Sequence, residues 1–219
     1  MAAQVLEMPS IGLPPQCLTE KYRPRRIGEF AGLDKPKKIM ANLAARPYSS
    51  NWIFSGPSGT GKTTLALALA DAIPAELHHI SSQTCTAVEI EKVWRDCFYY
   101  PQYGKKFHVV LVDEADTMSK AAQDSLLSKL DGTASAPNTI WIFTCNDSSR
   151  FEPRFLSRNR EIAFSSYGIA KDAIELLSHV WQAEAPAGAP APNLARIVKE
   201  NNNNLRGSLM ALETELMLV

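Results

Sequence analysis

The feature of this sequence that most limits its possible folds is a glycine-rich run, Gly-Pro-Ser-Gly-Thr-Gly-Lys-Thr, at residues 56–63. The run fits the pattern G-x-x-x-x-G-K-[ST] and lies between an apolar stretch at 51–55 and an alanine- and leucine-rich stretch at 62–73. A strand is therefore expected before it and a helix after it. Glycines let the loop backbone curl until its N–H groups point at an anion, and the helix start adds partial positive charge. The run predicts a loop that binds the phosphates of a nucleotide.

Two side chains of this loop have expected roles in binding ATP. Lys62 is expected to reach the β- and γ-phosphates, and Thr63 to place its hydroxyl on Mg²⁺, because magnesium prefers hard oxygen ligands beside phosphate. A glycine-rich loop with a chance lysine is the alternative, which the flanking strand and helix disfavour. The predicted nucleotide-binding residues of this segment are Gly56, Pro57, Ser58, Gly59, Thr60, Gly61, Lys62, Thr63 and Thr64.

A pair of acids follows the clearest predicted strand, the continuous apolar run at 107–112. Asp113 and Glu114 come at the strand end where ligands bind in open α/β sheets. Asp113 is expected to hold Mg²⁺ through water, and Glu114 to act as the general base on the water that attacks the γ-phosphate. Alone, such a pair is usually a solvated turn. Together with the phosphate-binding loop it predicts a P-loop ATPase, in which Lys62 is also catalytic.

The order of apolar runs predicts an α/β fold, a P-loop NTPase with a parallel five-stranded sheet between helices. The predicted strands are 51–55, 77–80, 107–112, 139–144 and 161–164. The predicted helices between them are 62–73, 87–98 and 119–130, with a turn at 101–104. In the last of these helices the apolar residues repeat every four positions, which places Gln123 and Lys129 away from the core.

Beyond residue 165 the pattern is helical only. Helices are predicted at 168–182, 194–201 and 204–218, and the Ala/Pro-rich run at 183–192 is predicted to be a loop, since its prolines forbid a continuous helix. The chain is therefore predicted to comprise a nucleotide-binding α/β domain at 1–165 and a small helical lid domain at 166–219.

Composition limits the partners and the compartment. Lys plus Arg equals Asp plus Glu at 23 each, so overall charge imposes neither a nucleic-acid nor a membrane partner. Residues 1–18 lack a secretory signal pattern and no long apolar run follows, so a cytoplasmic protein is expected. The four cysteines show no C-x-x-C spacing, which disfavours both a zinc ribbon and a disulfide scaffold and favours reduced thiols.

An N-terminal motif links the sequence to a known family. Glu20-Lys21-Tyr22-Arg23-Pro24, with the following Ile27-Gly28-Glu29-Phe30-Ala31-Gly32, resembles the opening of the AAA+ module of sliding-clamp loader ATPases, the replication factor C small subunits and their archaeal, phage and bacterial relatives. The resemblance implies that Tyr22, Arg23, Pro24 and Gly32 line the adenine side of the site. From the residues alone, a basic and solvated N-terminal arm is equally compatible with this segment.

Three further motifs carry the same resemblance. Thr144-Cys145-Asn146 is similar to the family's sensor 1, which implies that Asn146 orients the attacking water together with Glu114. Asn204-Leu205-Arg206-Gly207 is similar to sensor 2, which implies that Arg206 reaches over the γ-phosphate from the lid. Gln123 matches the glutamine of the family's A-A-Q, implicated in relaying DNA contact to the catalytic glutamate. Turn-forming and solvated surface roles are the alternatives for these residues.

Leu156-Ser157-Arg158-Asn159-Arg160 resembles the family's S-R-C motif, with asparagine in place of cysteine. The resemblance implies that Arg158 is the arginine finger donated into a neighbouring subunit's ATP site, because a guanidinium fork suits a phosphate whose charge grows in the transition state. Arg154 and Arg160 are rivals for this role, and a surface salt bridge is the alternative. A lone subunit is then expected to hydrolyse ATP slowly.

The resemblance implies partners: ATP or ADP, other AAA+ subunits, and DNA with a sliding clamp. Clamp-loader subunits carry a further helical collar domain that would start near Val219, so the sequence is expected to be either a fragment or a minimal module. Another AAA+ remodelling or loading ATPase of a phage or mobile element, and a nucleotide-gated interaction module with little turnover, are the alternative functions. Candidate cations for DNA are scattered: Lys92, Arg95, Lys105, Lys106, Lys120 and Lys129.

Overall fold

The computed structural model describes residues 17–81, 83–101 and 104–219. The N-terminal stretch and half of the predicted 101–104 turn therefore lie outside the described residues. The sheet contains β1 (Ser50–Ser55), β2 (Ala75–Ser81), β3 (Phe107–Asp113), β4 (Thr139–Cys145) and β5 (Arg160–Ala163). Their order is β2-β3-β4-β1-β5, with every neighbouring pair parallel, which confirms the predicted five-stranded parallel sheet. None of the described helices is long and apolar enough to span a bilayer.

Helices cover both faces of this sheet, because its inner strands are apolar on both sides. On one face, α2 (Asp34–Ala45) and α3 (Lys62–Ala72) pack against β-strand side chains such as Phe54 and Ile142. On the other, α4 (Ala87–Asp96) and α5 (Lys120–Lys129) pack around Trp141 and Phe143. The sequence analysis missed α2 entirely.

The predicted outward orientation of Gln123 and Lys129 on α5 is wrong. Both side chains are buried, at 7% and 9% exposure. Lys129 Nζ lies 2.8 Å from a Glu91 carboxylate oxygen and 5.4 Å from the centre of the Trp94 ring, both on α4. Gln123 Oε1 accepts a hydrogen bond from the backbone N–H of Glu152 at 3.3 Å. Polar partners on neighbouring elements therefore allow these residues to be buried.

A third apolar cluster joins the C-terminal helices α7 (Ala170–Glu184), α8 (Leu194–Glu200) and α9 (Leu205–Leu216). The short N-terminal helix α1 (Leu18–Lys21) belongs to this cluster through Leu18, whose backbone N–H donates to Glu213 at 3.1 Å. The first described residues thus pack on the C-terminal helices, and the chain then continues to the sheet. The division into domains at residue 165 stays a prediction.

The parallel sheet brings three chain segments to one edge. The carboxyl ends of β1, β3 and β4 lie side by side, with Ser55 paired with Cys145 and Val112 paired with Phe143. The loop before α3 therefore starts beside Cys145, and the first turn of α3 reaches Asp113 through Thr63. A short helix α6 (Pro153–Leu156) then returns the chain to β5.

Candidate functional site

The glycine-rich loop has a conformation that other residues do not readily adopt. Gly56 has φ +143°, and a Cβ atom there would lie 2.0 Å from the carbonyl oxygen of Phe164. Gly59 has φ +77°, and a Cβ atom there would lie 2.4 Å from Oδ1 of Asn204. Both positions need glycine, since real Cβ contacts are never so short and L-residues rarely take these φ values. The loop is thus a close-fitting backbone cradle.

Lys62 lies at the start of α3, where the first-turn N–H groups have no acceptor within the helix. Its side chain is 8% exposed, and Nζ donates to the carbonyl oxygens of Gly56 at 2.6 Å and Pro57 at 2.9 Å and to Oδ1 of Asn146 at 3.2 Å. Burial lowers the pKa of Lys62, although nearby carboxylates oppose this shift. The ammonium group therefore lies inside the loop, beside the amides that would bind an anion.

Hydroxyl and carboxylate oxygens meet where β3 and β4 end. Thr63 Oγ1 donates to Oδ1 of Asp113 at 2.7 Å, and Thr144 Oγ1 donates to the same oxygen. Thr144 Oγ1 also accepts a hydrogen bond from the backbone N–H of Glu114 at 3.1 Å. Thr63 and Asp113 offer the hard oxygen ligands that Mg²⁺ prefers, so this donor set fits the ion. Thr144 links both acids of the pair, a position the sequence analysis did not assign to it.

Glu114 has a left-handed backbone conformation, with φ 53° and ψ 42°. A non-glycine residue held there costs about 1–2 kcal/mol, and such outliers cluster at functional sites. The conformation turns the chain sharply out of β3 and leaves the Glu114 side chain exposed to the cavity. The carboxylate is therefore accessible to a ligand and to water.

These groups surround a polar cavity of about 260 Å³. The cavity brings together ten of the predicted site residues: Ser58, Gly59, Gly61, Lys62, Thr63, Thr64, Asp113, Glu114, Asn146 and Arg206. It adds Thr144 and Cys145. Burial raises the pKa of the Cys145 thiol to about 12, so this thiol is neutral at physiological pH. Gly56 and Pro57 lie behind the cavity and accept hydrogen bonds from Lys62.

A second, more apolar cavity of about 190 Å³ adjoins the first and shares Arg206 with it. Of the predicted residues it adds Tyr22, Arg23, Pro24 and Thr60, and it shares Gly59, Gly61 and Thr64 with the first cavity as well. Its apolar walls, absent from the predicted set, are Phe30, Ala31, Leu33, Leu176, Leu205 and Leu209. These walls give the cavity an apolar side between the loop and helices α7 and α9, a feature suited to a planar base.

Gly32 is not brought to this second cavity. It has φ +62°, and a Cβ atom there would lie 2.7 Å from Cγ2 of Ile169. Gly32 instead lines a separate cleft with Ile169, while Ala31 and Leu33 on either side of it face the second cavity. Gly32 therefore does not line the cavity predicted for adenine, and instead provides the turn between Ala31 and Leu33, which do line it.

The C-terminal helices contact the loop directly through Asn204. Its Nδ2 donates to the carbonyl oxygen of Ser58 at 2.7 Å, while its Oδ1 accepts from the backbone N–H of Gly207 at 3.1 Å and caps α9. Arg206, in the first turn of the same helix, lines both cavities. Asn204 therefore ties the helix that carries Arg206 to the phosphate-binding loop, in addition to the packing of α9 on its neighbours.

Arg158 lies outside both cavities of its own chain. It follows α6, where Nη1 donates to the carbonyl oxygen of Arg154 at 2.9 Å and Nη2 lies 3.8 Å from a carboxylate oxygen of Asp131. The rival Arg160 lies over the rings of Tyr48 and Trp52. Arg154 pairs with acids of its own chain, at 3.0 Å from Glu152.

Comparison with known proteins agrees with this geometry. The chain is 26% identical to a replication factor C small subunit of Methanosarcina barkeri over 87% of this chain and 64% of that protein. It is 32% identical to replication factor C small subunit 1 of Pyrobaculum islandicum over 67% of this chain and 46% of that protein. The chain thus spans about half to two thirds of the length of such relatives.

The fold is also that of the RuvB Holliday junction branch migration motor of Thermotoga maritima. The two structures agree with a TM-score of 0.70 at 20% identity, over 88% of this chain and 64% of the other. Residues 52–167 match the family described as ATPase family associated with various cellular activities, AAA. This match covers more than half of the chain and includes the phosphate-binding loop, both acids and Asn146, so the chain belongs to the AAA family of ATPases.

Proposed function

We propose that this chain binds ATP with Mg²⁺ across the two adjoining cavities and hydrolyses it as a subunit of a clamp-loader-like assembly that acts on DNA in replication. The observation that carries the proposal is the convergence of Lys62, Asp113 and Glu114 on one polar cavity beside an apolar one. The polar cavity would take the triphosphate and the apolar cavity the adenine. Lys62 would exchange its carbonyl acceptors for phosphate oxygens.

The residues around the polar cavity support hydrolysis. Thr63 and Asp113 would hold Mg²⁺, which supplies neutralisation of phosphate charge. Glu114 would accept a proton from the attacking water, and Asn146 would orient that water. Thr144 positions Glu114, because its hydroxyl accepts from the Glu114 N–H and donates to Asp113.

Arg158 supports assembly rather than catalysis within one chain. It lies outside its own nucleotide cavities, and its guanidinium donates to the Arg154 carbonyl oxygen at 2.9 Å and lies 3.8 Å from a carboxylate oxygen of Asp131. We propose that it enters the ATP site of a neighbouring subunit, where an arginine finger accelerates hydrolysis by about 10³–10⁵-fold. Activity per chain should then rise with protein concentration, or when partner subunits are added.

The DNA and clamp partners rest on the similarity to replication factor C small subunits. The basic residues give them little support, since four of the six candidate cations pair with acids of the same chain. Lys129 in particular is buried and unavailable to a phosphate backbone. A cytoplasmic location is part of the proposal, in keeping with four free cysteines.

Glu114→Gln tests the enzymatic part of the proposal. The amide cannot accept a proton but keeps the size of the side chain, so hydrolysis should fall by about 10²–10⁴-fold with ATP affinity unchanged. Phosphate release and calorimetric titration measure the two quantities. Unchanged turnover in the variant would favour a nucleotide-gated interaction module.

Primed DNA and a sliding clamp test the clamp-loader part. Steady-state ATPase activity is measured with each alone and with both, for the wild type and for Arg158→Ala. We expect stimulation of the wild type by the combination, and little stimulation of the variant. Absence of stimulation, with intact basal hydrolysis, would favour another AAA+ remodelling ATPase.

A further inference from the structure

Three potential metal ligands meet on the sheet face that α4 covers, away from the nucleotide site. His78 lies in the middle of β2, His108 at the start of β3, and Cys97 directly after α4. His108 is five residues before Asp113, a distance of about 16 Å along the strand. The group is therefore separate from the proposed magnesium ligands.

The ligand atoms of these residues face one another. His78 Nε2 and His108 Nδ1 are 3.0 Å apart, and these two nitrogens and Cys97 Sγ all lie within 4.8 Å of one another. Two nitrogen ligands on a tetrahedral zinc ion stand about 3.3 Å apart, given zinc–nitrogen distances of about 2.0–2.1 Å. The two rings would need to separate by only a few tenths of an ångström to admit an ion.

The hydrogen bonds of His108 prepare it to bind a metal. Its Nε2 lies 2.9 Å from the backbone carbonyl oxygen of Tyr99, which can only accept, so Nε2 carries the proton and the Nδ1 lone pair faces His78 and Cys97. Metal-ligating histidines are commonly oriented in this way by a backbone carbonyl on the other ring nitrogen.

We propose that His78, Cys97 and His108 form a zinc site that ties the edge strand β2 to β3 and to the end of α4. Two imidazole nitrogens and one thiolate are a donor set suited to zinc. The fourth ligand would be a water molecule, or Glu76 after its side chain turns inward, since its Oε2 lies 3.9 Å from His108 Nδ1 but outside the group of three ligand atoms. His78 is only half-buried on the edge strand, which gives the ion a path from solvent.

Binding changes the protonation of two ligands. Cys97 releases its thiol proton to solvent as its sulfur bonds the ion, and His78 moves its proton from Nε2 to Nδ1. The site is compatible with the absence of C-x-x-C spacing, because its three ligands come from three separate elements of the fold.

Cobalt, a spectroscopic substitute for zinc, tests the site in the full chain after removal of bound metal with a chelator. We expect one equivalent of Co²⁺ to give tetrahedral d–d bands with a thiolate-to-cobalt charge-transfer band, and one equivalent of Zn²⁺ to remove them. Zinc should also raise the melting temperature. Cys97→Ser should abolish the charge-transfer band, and His78→Gln should weaken cobalt binding by at least about tenfold.

Matched controls are Cys85→Ser and Cys145→Ser, which remove other buried thiols and should keep the wild-type spectrum. Circular dichroism checks that each variant is folded, and the half-buried His78 gives a second test if Cys97→Ser does not fold. A wild-type spectrum without a thiolate band would overturn the proposal. So would a band that persists in Cys97→Ser or an affinity unchanged in His78→Gln.

Discussion

The two cavities of the nucleotide site differ in how they are built. The polar cavity rests on the ends of β3 and β4 and on the loop between β1 and α3, all fixed by the sheet. The apolar cavity is enclosed by an N-terminal segment and by side chains from α7 and α9, which share their own apolar cluster. The side chains of the polar cavity are thus held in place by the sheet. The apolar cavity depends on where the C-terminal helices lie.

The two cavities are joined by contacts from α9 and the residue that caps it. Asn204 donates to the loop at Ser58, and Arg206 lines both cavities. A nucleotide that fills both cavities would therefore favour one position of the C-terminal helices over others. Changes in the polar cavity should affect binding strongly, and changes in the apolar cavity should act mainly through helix position.

The largest effect is expected for Gly56→Ala, in the phosphate-binding loop beside the polar cavity. A Cβ atom at 2.0 Å from the Phe164 carbonyl must push β5 away from the loop, and alanine is strained at φ +143°. We expect a loss of about 3 kcal/mol or more in the free energy of unfolding, and at least about a hundredfold loss of ATP affinity. Thermal melting and calorimetry measure these changes.

Gly28→Ala is the matched control, since no heavy atom lies within 4 Å of a Cβ atom there. Its melting temperature and its affinity for ATP should be close to those of the wild type. If both alanine variants behaved alike, the loop would not be the close-fitting cradle described above.

An intermediate effect is expected for Asn204→Ala, at the contact between the C-terminal helices and the phosphate-binding loop. The change removes the α9 cap, worth about 1 kcal/mol, and the hydrogen bond to Ser58, worth about 0.5–1.5 kcal/mol. Asn204→Ser should restore the cap but is too short to reach Ser58. Stability should therefore recover in the serine variant by the cap contribution of about 1 kcal/mol, while ATP affinity stays reduced. If the serine variant and the wild type bound ATP with equal affinity, the hydrogen bond from Asn204 to Ser58 would not couple the C-terminal helices to the loop.

The smallest effect is expected for Tyr22→Phe, in the wall of the apolar cavity. The Tyr22 hydroxyl donates to Glu184 on α7, and its loss should cost under about 1 kcal/mol because the pair is partly solvated. Burial and then the Glu184 carboxylate raise the pKa of Tyr22 from 10.0 to about 12. The contribution is therefore complete below pH 10.0 and is lost as the pH rises towards about 12.

Melting curves of the wild type and Tyr22→Phe across that alkaline range measure the difference. The gap in melting temperature should be constant at neutral pH and close as the pH approaches about 12. A gap that widened with pH would contradict the assigned hydrogen bond.

The contrast between the polar cavity, built on the sheet, and the apolar cavity, lined by distant helices, also explains which features could be predicted from the sequence. The strand predicted at 107–112 is Phe107–Asp113 in the structure, because a continuous apolar run that needs burial on both faces is a strong local signal. Helix α2 was missed because it begins after Leu33 in a left-handed conformation, without the side-chain cap that marks a helix start. The apolar walls Leu176 and Leu205 come from helices distant in sequence, so no local pattern indicates that they meet.

Contacts with residues of other helices and strands explain the remaining differences between the sequence predictions and the structure. Lys129 is buried because Glu91 and Trp94 of α4 surround it, which the four-residue periodicity of α5 does not reveal. Thr144 lies in a buried strand, and its bonds to both acids become visible only when β3 and β4 are side by side.

Calorimetric titration of the full chain with ATP and Mg²⁺ tests the central claim, that the loop and Lys62 form the triphosphate site. We predict one site per wild-type chain and no measurable binding in Lys62→Ala. Lys129→Ala removes the lysine that is buried to a similar degree outside both cavities, and should keep the wild-type affinity provided that it folds. Wild-type affinity in Lys62→Ala, or no binding by the folded wild type, would contradict the account.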